Sequence, residues 1–447
     1  MPNAQCPIPH NIATEILSIY DSPLYVYQGD ILRQTITRIT KSIAYAHTKF
    51  HFASVTNGNI SLLQIFKDCG WGIHANTPGD VYLALKAGFS PENIVYSGSN
   101  LSAEEMTQLL NWGITTFNLD SINQLQLFCD AYKSQNNNNN ICSASILLDG
   151  GKDINLPANV SPREQDFVNT SEQDARTTNN KIKPATKEIK LGLRLNLPEI
   201  TGNSRIGVRP NEFIEAVEIA KKANLKISGL HFYRGTGTNA TKAFTEVINQ
   251  VIETAKLLPD WQYLDFGGGF GYPYRHDGVA FNWESFGIEI TNILLKLDRK
   301  IDLIIEPGRA AIAGCAALLA QVVSIKWQQD KQIIGVDTTV ANLSVPSVHG
   351  GYREIISWKT GKSYLTDVCG NTTYSRDYLG KNCQLPKLEI GDIIAILDVG
   401  AYGYAMSSHF LHRPRPAEVL LDNNNHNHKL IRRREDYDIL LHNQIIS

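Results

Sequence analysis

The run LDFGGGFGYPY, residues 264–274, carries an apolar strand pattern straight into three glycines. Successive glycines at Gly267, Gly268 and Gly269 either turn backbone N–H groups towards an anion with no Cβ in the way, or simply make a tight turn that holds nothing. Further on, IIEPGRAAIAG (304–314) repeats the form, with Glu306 ending an apolar strand before a Pro-Gly turn, Arg309 and a small-residue helix. Arg309 has the chemistry to hold phosphate oxygens, and a buried Glu306 needs a cation or a protonated ring nitrogen as partner. A structural Glu–Arg pair accounts for the same residues equally well.

Working outward from these two junctions, the same strand-then-helix rhythm extends back towards residue 30. The strand patterns are HFASVT (51–56), GIHANT (72–77), NIVYSGS (93–99), TTFNLD (115–120), IKLGLRLNL (189–197), KISGLHFY (226–233), YLDFGG (263–268) and DLIIEP (302–307). Helical periodicity fills the gaps, as in ISLLQIFKDCG (60–70) and NEFIEAVEIAKKA (211–223). Eight strands are the number that closes a (β/α)8 barrel, with an open Rossmann-like sheet as the alternative on periodicity alone. In a barrel, Glu306 and the glycine run fall on the C-terminal rim, where chemistry is carried.

After about residue 312 the pattern changes to strands such as KQIIGVDTTV (331–340) and DIIAILDVG (392–400), so a mainly β domain is expected over 313–447, joined by 1–29, beside a barrel over 30–312. A polar stretch at about 134–187, with NNNNN at 136–140, lacks the apolar surface to repay its ordering and is expected to be a disordered insertion. Forty-two basic against forty-four acidic residues, with no basic stripe, argue for a small-molecule protein over a nucleic-acid binder. Seven scattered cysteines without a C-x-x-C pair suit reduced thiols in the cytoplasm, and no apolar run suits a membrane span.

The segment GAYGYAMSSHFLHRPRPAEVLL (400–421) closely resembles the C-terminal signature of bacterial diaminopimelate decarboxylases. FASVTNGN (52–59), YSGSN (96–100), LRLNLP (193–198), GLHFY (229–233), LDFGGGFG (264–271), EPGR (306–309), Cys369 and GAYGYAM (400–406) follow in the order seen in the diaminopimelate/ornithine decarboxylase family, the fold-type III pyridoxal 5'-phosphate (PLP) enzymes. The resemblance implies an alanine-racemase-like barrel plus a β domain, and a head-to-tail homodimer with shared sites. It implies that Gly267, Gly268, Gly269, Arg309, Thr236 and Tyr402 hold the phosphate, and that Glu306 faces the pyridine nitrogen. Cys369 then approaches the partner's cofactor and directs reprotonation.

The resemblance breaks at one decisive place. Aligned through Asn57, Gly58 and Asn59, the position of the family's Schiff-base lysine is Val55. Valine has no amine, so PLP is expected to bind non-covalently, and ordinary activity is in doubt. The ring-stacking histidine is replaced by Tyr233, and an acidic residue by His74, a substitute base in this reading. Val345 and His349 stand where a substrate-binding arginine and tyrosine are expected, and Gly370 replaces a Glu. Arg194, Arg234, His349 and Arg353 are the candidates for a substrate carboxylate. The sequence therefore points to a decarboxylase-like protein acting on an amino acid other than diaminopimelate, or to a catalytically inactive PLP-binding homologue. A cofactor-free barrel, in which Glu306 and Arg309 only pair with each other, is the third possibility.

Overall fold

Local signals along the chain set the helix boundaries first. Thr77 and Asp80 form both bonds of a capping box at the start of the helix Pro78–Lys86, and Ser102 and Glu105 do the same for Ala103–Asn111. Gly70 and Gly88, at φ 81° and 86°, take the left-handed conformation just past two helix ends. Each helix buries one stripe: Leu62, Leu63, Ile65 and Phe66 of Ile60–Asp68 all face inward. There Phe66 stacks on Phe52 of the neighbouring strand with ring centroids 3.8 Å apart.

The computed structural model describes residues 7–145, 188–202, 204–235, 237–275 and 277–445, with backbone only for 137–145. β1 spans Leu24–Gln28. Eight strands then follow: β2 Thr48–Ala53, β3 Gly72–Ala75, β4 Ile94–Tyr96, β5 Thr116–Leu119, β6 Lys190–Arg194, β7 Ile227–His231, β8 Tyr263–Asp265 and β9 Asp302–Ile305. They pair in sequence order and close, since β9 lies parallel to β2 with Phe50 opposite Ile305. That closing pair removes the edges an open Rossmann-like sheet would leave, and decides for the barrel.

Seven of the eight strands are shorter than their sequence patterns, and β2 keeps six residues but starts three earlier, at Thr48. The residues left over, such as Ser54–Thr56 in a 3-10 turn and the glycines after Asp265, leave the sheet and build the rim. Inside the barrel, Tyr263 lays its ring where a Cβ on Gly229 would stand, 1.9 Å from the ring carbon, and its hydroxyl donates to Asn118 Oδ1 at 2.9 Å. Asn118 in turn donates to Asp265 Oδ2 at 2.8 Å and to Ser97 at 3.1 Å, so the buried polar groups form one connected network.

The second sheet has nine strands, β1 with eight from the C-terminal part: β10 Ala316–Gln328, β11 Lys331–Val336, β12 Ile355–Ser357, β13 Ser363–Cys369, β14 Tyr378–Pro386, β15 Ile393–Leu397, β16 Ala417–Asp422 and β17 Asn427–Arg432. β1 sits between β10 and β16, which ties the N-terminal segment to this sheet. The asparagine run differs from expectation: the helix Ile122–Ser145 carries the backbone through it. Asn costs only some tenths of a kcal/mol relative to a good helix former, and an existing helix propagates across it. The remainder of the expected insertion, 146–187, lies outside the described residues.

At the end of the barrel remote from the glycine rim, His51 fills the space that a Cβ on Gly72 would need. Burial pushes its pKa down to about 3. The unfolded chain therefore binds a proton that the folded chain refuses, so stability is lost as pH falls below about 6.5. Between about pH 7.5 and pH 5, denaturant unfolding should show the native chain losing roughly 2 kcal/mol more than a His51→Gln variant. Equal losses would show that His51 is protonated in the folded state.

Candidate active site

The rim cavity has a volume of about 280 Å³ and opens among the C-terminal ends of the barrel strands. It is lined by Val55, His74, Arg194, Tyr233, Gly268, Gly269, Glu306, Arg309 and Tyr402 among others, so nine of the sequence candidates meet in one place.

Its floor comes from the triglycine bend, wedged between the exits of two neighbouring strands. A Cβ on Gly267 would lie 2.1 Å from the Phe232 carbonyl, one on Gly268 2.6 Å from the Glu306 carbonyl, and one on Gly269 2.1 Å from the Gly235 carbonyl. Gly267 and Gly269 also hold φ of 65° and 96°. Close backbone packing thus demands the glycines, and Gly268 and Gly269 still face the cavity.

One end of the cavity is cationic. Arg309 donates from Nη1 to the Tyr274 hydroxyl at 3.1 Å and lies 5.0 Å from the Tyr402 ring centre. Gly237 makes the approach possible, since a Cβ there would sit 3.2 Å from Arg309 Nε. The helix that follows is only the four residues Arg309–Ile312, so the guanidinium supplies the positive charge here. Tyr402 comes from the second sheet's side of the chain and holds φ 59°, a strained backbone for a tyrosine. Its N–H donates to the Thr56 carbonyl at 2.9 Å, which pins this corner onto the turn bearing Val55. Val55 itself is 44% exposed.

The other end is a buried polar cluster. Glu306 Oε2 lies 3.4 Å from Nε2 of both His74 and His231, and all three side chains are almost fully buried. Glu306 Oε1 and both ring nitrogens of His74 have no hydrogen-bond partner. Burial pushes Glu306 up to about 8, the His231 ring down to about 4, and His74 well below its ordinary value. Asp265, buried beside Glu306, is also held well above the carboxylate range by burial and then by that like charge. Arg309 makes no ion pair with Glu306 among the described residues, so these two do not simply neutralise each other.

The other candidates stand elsewhere. Arg234 donates to the carbonyls of Ala243 and Ile200, both at 3.0 Å, and is spent as a structural tie. Arg353 is buried with its guanidinium 3.7 Å from the Tyr274 ring centre, and lines a separate cavity of about 360 Å³ with Arg376 and Lys381. His349 is exposed at the end of a short helical turn, Val345–Val348, and does not line the rim cavity. Cys369 ends β13 on the second sheet, outside the rim cavity of its own chain. Thr236 lies outside the described residues. Lys49 and Lys190 line a different cavity together with His51, and among the described residues no lysine lines the rim cavity.

Sequence reading passed over His231 as a core histidine and did not single out Asp265 or Tyr274. A register signal was present: Arg194, His231 and Asp265 are directly paired across β6, β7 and β8, one layer of side chains at the strand ends. These three residues end the observed strands, whereas the sequence patterns ran on to Leu197, Tyr233 and Gly268 and so hid the layer.

Comparison with known proteins agrees with this architecture. Residues 24–400 match the model of the family described as pyridoxal-dependent decarboxylase, C-terminal sheet domain. The diaminopimelate decarboxylase of Aquifex aeolicus is 28% identical over 434 residues, covering 96% of this chain and 92% of the relative. The crystal structure of Helicobacter pylori diaminopimelate decarboxylase complexed with L-lysine superposes with a TM-score of 0.78 at 26% identity, over 96% of this chain and 98% of that one. A lysine/ornithine decarboxylase from Vibrio vulnificus, complexed with cadaverine, shares the fold at 19% identity and a TM-score of 0.73, over 95% of this chain and 100% of that one. The closed parallel barrel, the mixed sheet beside it and a match over most of the chain together establish that this protein belongs to the pyridoxal-dependent decarboxylase family.

Proposed function

We propose that this chain holds PLP, or a PLP–amino-acid adduct, non-covalently in the rim cavity and takes part in amino-acid decarboxylation on a substrate other than diaminopimelate. The observation that carries the reading is a cavity with the Arg309 guanidinium at one end and, at the other, the buried Glu306 carboxylate with Oε1 lacking a hydrogen-bond partner; the family resemblance adds that valine stands where a lysine would anchor the cofactor.

The residues present fit the group except at its covalent anchor. Arg309 and Tyr402 would hold the phosphate against the glycine floor, and Tyr233 offers an aromatic face, already 5.2 Å from the Arg194 guanidinium. Glu306 is suited to the ring nitrogen, because Oε1 is buried without a partner and its raised pKa lets it exchange a proton near neutrality. When bound, PLP supplies the electron sink that accepts the pair left by a departing carboxylate. Arg194, the one arginine among the four carboxylate candidates that lines the cavity, would bind the substrate carboxylate. His74 stands at the Glu306 end, so it would act on the ring-nitrogen side before it could act at a substrate carbon. With Val345 buried and His349 exposed, the distal carboxylate of diaminopimelate has no bidentate partner from that segment. Cys369 would reach a rim only across a head-to-tail homodimer.

A catalytically inactive PLP-binding homologue is the second reading, favoured because none of the described residues lining the cavity is a lysine. Titrating the purified chain with PLP, then reducing with borohydride and mapping by mass spectrometry, tests both. A chromophore that dialyses away, with no pyridoxyl-lysine, is expected. No chromophore at all sinks the cofactor reading, and a labelled lysine sinks the non-covalent one. Carbon dioxide release from a panel of amino acids then separates the enzyme from its inactive counterpart.

A further inference from the structure

The cluster at the carboxylate end of the cavity has a second chemistry that the cofactor reading does not need. We propose that His74, His231 and Glu306 form a binding site for a divalent transition-metal ion of the zinc class, with its remaining coordination positions facing the cavity.

Three observations carry this. The first is donor identity: two imidazoles and one carboxylate are a common set for such ions, arriving here from the ends of β3, β7 and β9. The second is spacing. Each histidine Nε2 lies 3.4 Å from Glu306 Oε2, and one ligand atom from each of the three residues falls within 4.8 Å of the others. A contact of 3.4 Å is long for a hydrogen bond, but donors about 2.0–2.1 Å from a shared tetrahedral zinc stand roughly 3.3–3.4 Å from each other.

The third is the unmet demand. His74 lacks a partner at both ring nitrogens, and Glu306 lacks one at Oε1, although His74 is 7% exposed and Glu306 1%. Leaving such groups buried and unpaired is costly, and a shared cation satisfies the facing donors at once. The two rings also lie nearly parallel, 17° between planes with centroids 6.3 Å apart, and each has its Nε2 3.4 Å from the same Glu306 oxygen. Asp265, on the strand before the glycine bend, and Arg194 also act on the cluster, the carboxyl favouring and the guanidinium opposing a positive charge there.

A metal at this position and a pyridine nitrogen would claim the same carboxylate, so the two ligands should exclude each other. The inference stands apart from the cofactor reading, because Arg309 belongs only to the phosphate end.

The test is a cobalt(II) titration of the full-length, metal-stripped chain, followed by visible absorption and by metal analysis after dialysis. One ion per chain with d–d bands of a low-coordinate nitrogen–oxygen site is expected, displaced by added zinc. His74→Gln, His231→Gln and Glu306→Gln should each weaken binding by at least about a hundred-fold. Arg309→Ala should keep the cobalt bands while losing PLP, which separates failure of one proposal from failure of the other. Absence of bands in the native chain, equal binding in the three ligand variants, or a sulfur-to-cobalt charge-transfer band reporting a thiolate site would each overturn the assignment.

Discussion

Replacing Val55 by lysine should convert a reversible complex into a covalent one: after borohydride reduction, mass spectrometry should find the pyridoxyl group on residue 55 of the Val55→Lys variant and on no residue of the native chain. The turn Ser54–Thr56 makes this a well-posed experiment. Val55 is 44% exposed and lines the cavity, so a longer side chain enters open space and need not displace packed neighbours. The turn is already fixed by Tyr402 N–H donating to the Thr56 carbonyl and by Asn57 donating to the Gly400 carbonyl at 3.2 Å. Arg194 and Arg309 share the cavity, and two fixed cations lower the pKa of an added amine, which raises its nucleophilic fraction at neutral pH.

The kinetic consequence is large if the lysine is what is missing. A positioned amine that also moves a proton at the substrate carbon contributes about 10²–10⁴-fold. Carbon dioxide release from the preferred amino acid should rise by that order over the native chain. A covalent cofactor without any gain in turnover would show that the remodelled surroundings, Val345 and His349 foremost, have left the site unable to hold a substrate. Failure to label residue 55 at all would mean that the turn does not face the cofactor.

Removing the charge at the other end should have the second largest effect. The Arg309→Ala variant should bind PLP about a hundred-fold more weakly, whereas its affinity for unphosphorylated pyridoxal should stay within about twofold of the native value. The contrast matters because it isolates the phosphate: among the described residues Arg309 makes no ion pair, and its side-chain hydrogen bond goes to the neutral Tyr274 hydroxyl. Its loss therefore leaves no buried carboxylate behind, and fluorescence titration of the two ligands reads the phosphate contact directly. A parallel loss of both affinities would instead report a collapsed rim, in which the guanidinium serves only to order Tyr274 and Tyr402.

The two expectations also bear on which reading of the family resemblance survives. In the proposed reading the anchor is missing, yet Arg309 and Glu306 still line one cavity. A fold serving stability alone has no need of a buried carboxylate with one oxygen unpartnered at one end and, at the other, an arginine that makes no ion pair among the described residues, since burying the carboxylate costs free energy. Maintenance of both ends is the physical argument for a ligand.

How much of this was legible in the sequence varies from residue to residue. Eight strands, the switch to a β sheet beyond residue 312, the glycine bend and the Glu306–Arg309 corner all lie in short stretches, because periodicity, capping and turn chemistry act over a few residues, whereas Val55 stands out only through the family resemblance. The strand ends were overextended for the same reason. HFASVT reads as six strand residues, but only barrel closure shows that Ser54–Thr56 must leave the sheet and turn across the rim.

What the chain order could not tell was which side chains meet. His74 reads only as a substitute base and His231 has no assigned role until β3, β7 and β9 are brought into register and aim both at Glu306. Arg194, Arg234 and Arg353 were equivalent candidates on paper; folding puts the first in the cavity, spends the second on two carbonyls and turns the third into another cavity. The sequence by itself therefore determined the number of strands and the junctions that become the rim, since both follow from local pattern, whereas closure into a barrel needed the β9–β2 pairing and the assignment of Val55 to a lysine position rests on the family resemblance. The tertiary structure alone decided the partners of each charge, because distances between rim side chains are fixed by closing the barrel and not by their separation along the chain.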